Sequence, residues 1–304
     1  MEEIQPNSKN SCVIGKKNEE NTAYETTRIS MNKDFEIPSF DVLLPDLDHF
    51  ISNLVENYKT GNIKSWDDLK EQVNVFYTPG RMNQISSVVP HWRKMASYAD
   101  GLTLVHVTCV FLGLYMLPEF QSATEEQQEM MKWIILFHDV EKELEKGKRD
   151  HLHAFRSAVG AAQTLPKLGF PTASDYDLLI DEWSEFTLSA KLLLENVSDY
   201  TQDNSKLPVI VDGIERMFGQ DAPATLIIKT ILFHLSVDMG FWPPITPLTD
   251  IEMKKYFDKD LVPLLKLMHL ADGEGWQMFE PENREFGRND TLKSFEKVER
   301  LISE

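Results

Sequence analysis

The stretch of residues 132–142 ends an apolar run with an imidazole beside a carboxylate. Trp133 to Phe137 are apolar or aromatic, and His138, Asp139 and Lys142 follow them. Such a run is typical of a buried helix, so the charge that follows it lies at the edge of a core and needs a partner. A metal ion suits a His-Asp pair. Because neighbouring residues on a helix point about 100° apart, the other ligands must come from other helices.

Further side chains that can bind metals lie in apolar helical patterns along the chain. His106 replaces an apolar residue in Leu102-Thr-Leu-Val-His-Val-Thr-Cys-Val110, a stripe with the character of a buried helix face. A neutral imidazole in such a place needs a hydrogen-bond partner or a metal. The candidates in chain order are His106, His138, Asp139, His153, His234 and Asp272.

This ordered set resembles the HD-domain superfamily of metal-dependent phosphohydrolases. The mark of that superfamily is a histidine, a His-Asp doublet and a late aspartate on separate helices, and the resemblance covers roughly residues 99–276. Further likeness lies in the apolar run before the doublet and in the lysine three residues after Asp139. The His-x-x-x-Ser-Ala helix that begins at His153 and the Leu-Ala-Asp-Gly ending around Asp272 add to it.

The resemblance implies a role for each candidate. The metal ligands of the superfamily fall on His106, His138, Asp139 and Asp272. In members with two metals, His153 and His234 match the two additional histidines, and Asp139 would bridge the ions. Nitrogen and oxygen ligands of this kind suit a divalent ion such as Mn, Fe, Co, Ni, Zn or Mg. The resemblance therefore implies one or two divalent ions per chain.

Two of these placements have competitors. Asp238 follows His234 by four residues and would share its helical face. It is preceded by Leu-Ser-Val, where the superfamily more usually has a Leu-Ala pair, and this favours Asp272. His151 competes with His153, but only His153 keeps the spacing to the Ser-Ala pair.

Basic residues cluster after the doublet. In a phosphohydrolase, a lysine or arginine beside the metal neutralises charge on the phosphate as the bond to the leaving oxygen breaks. Lys142 is the best candidate for this catalytic role, and Arg156, on the His153 helix, is the second. A solvated loop is the other interpretation of the cluster. Its remaining members are Lys146, Lys148 and Arg149.

The implied function is hydrolysis of a phosphoester in a small phosphorylated substrate, with nucleotides as one class. Two alternatives stay open. Some HD-domain relatives hold two irons and oxidise carbon with dioxygen, and this chain could be an oxygenase of that kind. It could also be a binding protein that keeps the fold without catalysis.

Composition narrows the class of partner. The formal charge of -18 and a pI near 4.9 argue against a nucleic-acid surface or an anionic membrane as the main partner. The longest apolar run, Leu104 to Leu117, is interrupted and too short to predict a membrane span. Cys12 and Cys109 lie far apart in unlike surroundings, which predicts no disulfide and a reducing, cytoplasmic location.

Hydrophobic periodicity along the chain is helical, without convincing strand alternation. The sequence therefore predicts an all-α fold, a single helical bundle of the HD-domain type from about residue 38 to residue 279. The polar composition of residues 1–37 predicts a disordered tail. Residues 280–304 are polar, which predicts a C-terminal tail with one short helix, Thr291 to Ile302.

Local signals predict where several helices begin. Thr124-Glu-Glu-Gln127 is a capping-box pattern that opens the helix carrying His138. Ser65 predicts an N-cap, and Thr78-Pro-Gly-Arg predicts a turn. An inserted helix accounts for the long interval between His153 and His234. The predicted helices include Phe40 to Tyr58, Trp66 to Phe76, His151 to Leu168, Asp175 to Asn196, Val209 to Phe218, Asp221 to about Met239, and Asp250 to about Met268.

Overall fold

A computed structural model describes residues 36–90, 92, 102–143, 150–193, 200–238 and 247–304. All of them belong to one compact unit, Met31–Glu304. The predicted tail, residues 1–37, lies outside the described residues except for its last two. None of the described helices is both long enough and apolar enough to cross a bilayer.

The described part of the chain is mostly helical, which confirms the predicted all-α class. Two 3-10 turns, Leu165–Leu168 and Asn204–Lys206, and two strands, Lys191–Leu193 (β1) and Tyr200–Gln202 (β2), accompany the helices. The helices are Phe40–Leu43 (α1), Pro45–Lys59 (α2), Trp66–Phe76 (α3), Pro79–Val88 (α4), Leu102–Met116 (α5), Pro118–Gln121 (α6), Glu125–His138 (α7), His153–Thr164 (α8), Tyr176–Leu188 (α9), Leu207–Phe218 (α10), Pro223–Phe233 (α11), Asp250–Tyr256 (α12), Leu261–Gln277 (α13) and Pro281–Ser303 (α14).

Helix α9 is shorter than the inserted helix predicted from Asp175 to Asn196. It ends at Leu188, and β1 and β2 then form a small antiparallel hairpin in which Lys191 pairs with Gln202. Strands of three residues are too short to show an alternating pattern, so the sequence alone did not indicate them.

Side-chain caps start several helices where the sequence places them. Thr124 and Gln127 form the predicted capping box of α7, and the Ser65 hydroxyl accepts the Asp68 N–H at the start of α3. The turn predicted at Thr78 is instead a helix start, because the Thr78 hydroxyl caps α4. Proline at the first helical position then fits, since its missing N–H would have no partner there anyway.

The predicted helix from Asp250 to Met268 is two helices. The chain leaves helical geometry at Phe257, and the Asp258 carboxylate then accepts the N–H groups of Asp260 and Leu261. The second helix, α13, runs past the predicted end near Met268 and past Gly273, a residue type that often ends a helix, and stops at Gln277. Packing along its length outweighs the weak stop signal of one glycine.

Helix α14 begins ten residues before the predicted Thr291 and runs to Ser303. Its side chains Phe295 and Val298 are buried, and Arg284 forms an ion pair with the buried Glu274 of α13. The C-terminal segment is therefore packed onto the bundle and is not a tail with one short helix.

The helices that carry the candidate ligands pack on one another. Helix α13 packs against α5, α11 and α14, and α11 also packs against α7 and α8. Phe111, Phe137 and Phe233 are fully buried between these helices. Burial of each such side chain contributes about 1.5–3 kcal/mol, which holds the helix ends in a fixed arrangement.

The cap of α7 gives a test of this local assignment. Thr124→Ala removes the hydroxyl that accepts the Gln127 N–H and should lower the free energy of unfolding by about 1 kcal/mol. Thr124→Ser keeps the hydroxyl and serves as the control. Urea unfolding measures both, and an alanine variant as stable as the parent protein would contradict the assignment.

Candidate metal centre

The six candidate ligands converge from five helices. His106 lies within α5 and Asp272 within α13. The other four lie at helix ends. His138 is the last residue of α7, and Asp139 follows it as the C-cap with φ -110° and ψ 8°. His153 is the first residue of α8, and His234 directly follows α11. Asp139 lies outside the helix, so its carboxylate need not point about 100° away from His138 as it would on a regular helix.

One group of side chains lies around Asp139 Oδ2. This oxygen is 3.6 Å from His106 Nε2 and 3.8 Å from His138 Nε2. Asp272 Oδ1 closes the group, at 2.9 Å from His106 Nε2 and 3.8 Å from His138 Nε2. Both imidazoles and Asp139 are buried, whereas the Asp272 side chain is 29% exposed.

A second group lies around the other oxygen of the same carboxylate. Asp139 Oδ1 is 3.0 Å from His153 Nε2, which in turn is 3.2 Å from His234 Nε2. Both imidazoles are buried. In each of the two triads, His106-His138-Asp139 and Asp139-His153-His234, the ligand atoms all lie within 4.8 Å of one another.

Each imidazole is held by a backbone carbonyl. His106 Nδ1 lies 3.2 Å from the Gly275 oxygen and His138 Nδ1 lies 2.8 Å from the Ile135 oxygen. The other two follow the same pattern. A carbonyl oxygen can only accept, so each Nδ1 carries the hydrogen and each Nε2 of a neutral ring presents a lone pair to the centre. Histidines that bind metals are oriented in this way. The remaining contacts are His153 Nδ1 to the Asp150 oxygen at 2.5 Å and His234 Nδ1 to the Ile231 oxygen at 2.7 Å.

Apart from the Lys142 ammonium, which donates to Asp139 Oδ2, the groups described above face the centre as acceptors. His106 Nε2 and His138 Nε2 are buried and make no hydrogen bond. His153 Nε2 and His234 Nε2 lie 3.2 Å apart, and two neutral rings with their hydrogens on Nδ1 have no donor for this contact. Buried polar atoms left in this state cost free energy unless a cation or an added proton joins them.

The spacing of the acceptors fits a divalent ion. Bonds from such an ion to nitrogen or oxygen are about 2.0–2.2 Å, so adjacent ligands lie about 3–3.5 Å apart. The separations between ligand atoms, 2.9 to 3.8 Å, lie in or near this range. The buried residues His106, His138, Asp139, His153 and His234 could thus hold a metal ion.

Burial and charge set the protonation of the ligands. Burial, with the neighbouring rings of His153 and His138, lowers the pKa of His234 to about 3. Burial also lowers the pKa of His138. These rings are therefore neutral near pH 7 and keep a lone pair for a metal.

The carboxylates are ionised. Burial alone would raise the pKa of Asp139, but Lys142 and the adjacent imidazoles outweigh burial and hold that pKa well below its usual range. In Asp272, His106 and His138 likewise outweigh burial, and the pKa is lowered. The centre therefore presents negative charge as well as lone pairs to a cation.

Lys142 lies at the centre, as the spacing from Asp139 predicts. Its Nζ is 2.7 Å from Asp139 Oδ2, and its side chain is 18% exposed. Burial alone would lower the pKa of Lys142, but Asp139 and Asp272 outweigh it and raise that pKa. Lys142 is therefore an ammonium that reaches both the ligands and the solvent.

Arg156 has other partners. Its guanidinium pairs with the Asp150 carboxylate, and Nε donates to the Glu141 carbonyl at 3.2 Å. The Asp150 carbonyl in turn holds His153. Arg156 thus braces the chain between α7 and α8, and the catalytic role predicted for it stays a prediction.

Asp238, which competes with Asp272 in the sequence, has a different position. Asp238 is exposed, and α11 ends at Phe233, so Asp238 does not share a helical face with His234. Asp272, in contrast, lies against two of the imidazoles. Of the other basic residues in the predicted cluster, Lys146, Lys148 and Arg149 lie outside the described residues.

Two residues of α13 were not predicted as part of the site. The Gly275 carbonyl accepts from His106, and a Cβ on Gly275 would lie 2.7 Å from His106 Cε1. The Trp276 ring stacks on His106 with centroids 4.2 Å apart and planes at 23°. Their places three and four residues after Asp272, on one helical face, were the available signal.

No protein-family model matches this chain, and no curated protein or solved structure matches it either. The likeness to the HD-domain superfamily stays an expectation from the sequence. The function is therefore inferred from the chemistry of the site residues.

Gly275 offers a test of how His106 is positioned. A Cβ on Gly275 would clash with Val110 Cγ2 as well as with the His106 ring, so Gly275→Ala should displace both side chains. It should lower the free energy of unfolding by about 1–3 kcal/mol and weaken metal binding about 10- to 100-fold. Gly273→Ala, on the same helix, is the control because its Cβ would meet nothing within 4 Å. Metal titration and urea unfolding measure both variants, and equal metal affinity would contradict the proposed packing.

The pKa values predict how stability depends on pH. Burial lowers the pKa of His269 to about 4, and that of His234 is about 3. In the unfolded chain these rings take up protons near pH 6.5, whereas the folded chain does so only near pH 3 to 4. The free energy of unfolding should therefore fall as pH drops from about 6.5 to about 4, by up to about 1.4 kcal/mol per pH unit for each ring.

Urea unfolding of metal-free protein at a series of pH values measures this slope. His269→Gln removes one of the two titrations, so its slope should be smaller than that of the parent chain. Stability that stays constant between pH 7 and pH 5 would show that these rings are not held neutral by burial.

Proposed function

We propose that this protein is a metal-dependent phosphohydrolase with a centre of the HD-domain type, acting on a phosphoester in a small substrate. The observation that carries the proposal is the convergence of four imidazole lone pairs on the two oxygens of Asp139. Asp272 and the Lys142 ammonium lie at the exposed side of the same centre. Metal ligands, a positively charged side chain and partly exposed residues that an anionic substrate could reach are thus found at one centre.

The same carboxylate supports a version with two ions. Asp139 Oδ2 faces His106 and His138, while Oδ1 faces His153. One carboxylate with an oxygen in each group is how a bridging ligand is placed. The mixed nitrogen and oxygen ligands suit Mn, Fe, Co, Ni, Zn or Mg.

A divalent ion held there would make a water molecule more acidic and draw charge from the phosphate group. Lys142 would then neutralise charge on the phosphate oxygens as the reaction proceeds. The water oxygen forms the new bond to phosphorus and loses a proton, and the ester oxygen leaves and takes one up. The products are an alcohol and inorganic phosphate. Because the ligands are almost fully buried, the surroundings are poor in water and these charge interactions are strengthened.

The proposal also fits the charge of the whole chain. With a formal charge of -18, the protein repels an extended polyanion such as a nucleic acid. A small phosphorylated molecule needs positive charge only at the centre, where Lys142 and the metal would provide it.

We also infer a cytoplasmic location. Cys109 is a free, buried cysteine whose Sγ lies 3.7 Å from the Glu274 carbonyl, and burial raises the pKa of its thiol. A protonated, buried thiol without a disulfide partner suits a reducing compartment.

A di-iron oxygenase is the second candidate. The observation that favours it is the six-residue set, with four histidines and two aspartates, because two irons would use all of them. Metal analysis separates the two candidates. Two irons per chain together with oxygen consumption would favour the oxygenase.

Ligand variants test the hydrolase directly. The parent protein, loaded with a divalent metal, should release phosphate from small phosphoesters. His138→Ala and Asp139→Ala should lose metal and reduce activity by more than about 100-fold, because both remove ligands from the centre. Elemental analysis and a phosphate assay measure the two effects.

The control for these variants is His49→Ala, since His49 is exposed on α2. It should keep both metal and activity. Full activity in the His138 and Asp139 variants, at unchanged metal content, would disprove the proposal.

A further inference from the structure

The metal centre has one exposed side in the described part of the chain. The side chains of His106, His138 and Asp139 are 2%, 0% and 1% exposed. Asp272, in contrast, is 29% exposed and Lys142 is 18% exposed. Asp272 and Lys142 are therefore the side chains of this group that a ligand in solution can touch.

Trp276 lies beside these two partly exposed side chains. It lies on α13 one helical turn after Asp272, and its ring stacks on His106 at 4.2 Å. Lys142 Nζ is 5.6 Å from the centroid of the same ring. Trp276 thus contacts one ligand and the ammonium at the exposed side of the centre.

Much of the indole is open to solvent, since Trp276 is 53% exposed. A single exposed apolar side chain is ordinary on a protein surface. Trp276 differs because it is exposed next to a buried group of charged and polar ligands. The exposed part of the indole is available to stack a planar ring, and stacking on tryptophan is tolerant of which base is bound.

The Lys142 ammonium and the Trp276 indole together indicate which chemical groups a ligand should carry. Lys142 attracts an anionic group such as a phosphate, while the ring beside it favours a flat, unsaturated group. A nucleotide carries both groups in one molecule. A sugar phosphate has only the first.

We propose that Trp276 is a specificity-determining residue that stacks the base of a nucleotide whose phosphate lies at Lys142 and the metal centre. This inference rests on the proposed phosphohydrolase function, which it narrows to phosphoesters with a planar aromatic ring. Stacking would add affinity for nucleotides without changing the centre itself.

The test compares ligands that differ only in the base. Metal-loaded protein is given the four ribonucleoside 5′-monophosphates and ribose 5-phosphate. The best nucleotide should have a kcat/KM on the order of 10-fold or more above that of ribose 5-phosphate. Trp276→Leu should remove most of this preference, which is the ratio of the two kcat/KM values, and Trp276→Phe should keep part of it.

Ribose 5-phosphate and the metal content are internal controls, because Trp276 also packs on the candidate ligand His106. Tyr200→Leu, which changes an exposed aromatic residue on the hairpin, is the matched surface control and should keep the preference. An equal loss on both kinds of substrate in Trp276→Leu would mean that Trp276 only supports His106, and would overturn the inference.

Binding separates this inference from the hydrolase proposal. If no phosphate is released from any of these compounds, calorimetry on the same metal-loaded proteins measures affinity in place of kcat/KM. Tighter binding of a nucleotide that depends on Trp276 would support the stacking role even though the hydrolase proposal fails. Equal affinity for nucleotides and ribose 5-phosphate would overturn the stacking role, whether or not phosphate is released.

Discussion

The constraint on which the rest of the centre depends is the direction of four imidazole rings. Each ring gives its Nδ1 hydrogen to a backbone carbonyl, so each Nε2 lone pair points toward the two carboxylates. Acceptors then face acceptors, as His153 and His234 do at 3.2 Å. A folded protein rarely leaves buried polar atoms in that state. A cation is the simplest partner for all of them, because one proton cannot join so many acceptors.

The bundle produces this convergence mainly through its helix ends. A helix end leaves carbonyls without helical partners and lets the chain turn. Asp139 uses that freedom at the end of α7, and its two oxygens reach imidazoles from α5, α7 and α8. Within α13, Gly275 contributes differently, because the missing side chain leaves space for the His106 ring. Packing of the helices in the core thus fixes the positions of the ligand side chains.

Charge is distributed unevenly between the centre and the rest of the molecule. The chain as a whole is strongly acidic. At the centre, Asp139 and Asp272 raise the pKa of Lys142, so that this side chain is a positively charged ammonium. This places a positive charge beside the two carboxylates, where the proposed substrate phosphate would lie. Trp276 and Asp272 border the same place, so the chemistry and the choice of substrate are inferred to meet at one side of α13.

The sequence alone determined the helical class and the capping box at Thr124, since these depend on residue type and local spacing. It also indicated six candidate ligands, with competitors for two of them. It did not determine where helices stop. Gly273 resembles a helix end, but packing against neighbouring helices carries α13 to Gln277, and the same packing extends α14. Only the tertiary structure decided that Asp272 and not Asp238 lies against the imidazoles, and that Arg156 pairs with Asp150. Contacts between distant segments leave no periodic trace in a sequence, because they depend on how whole helices pack.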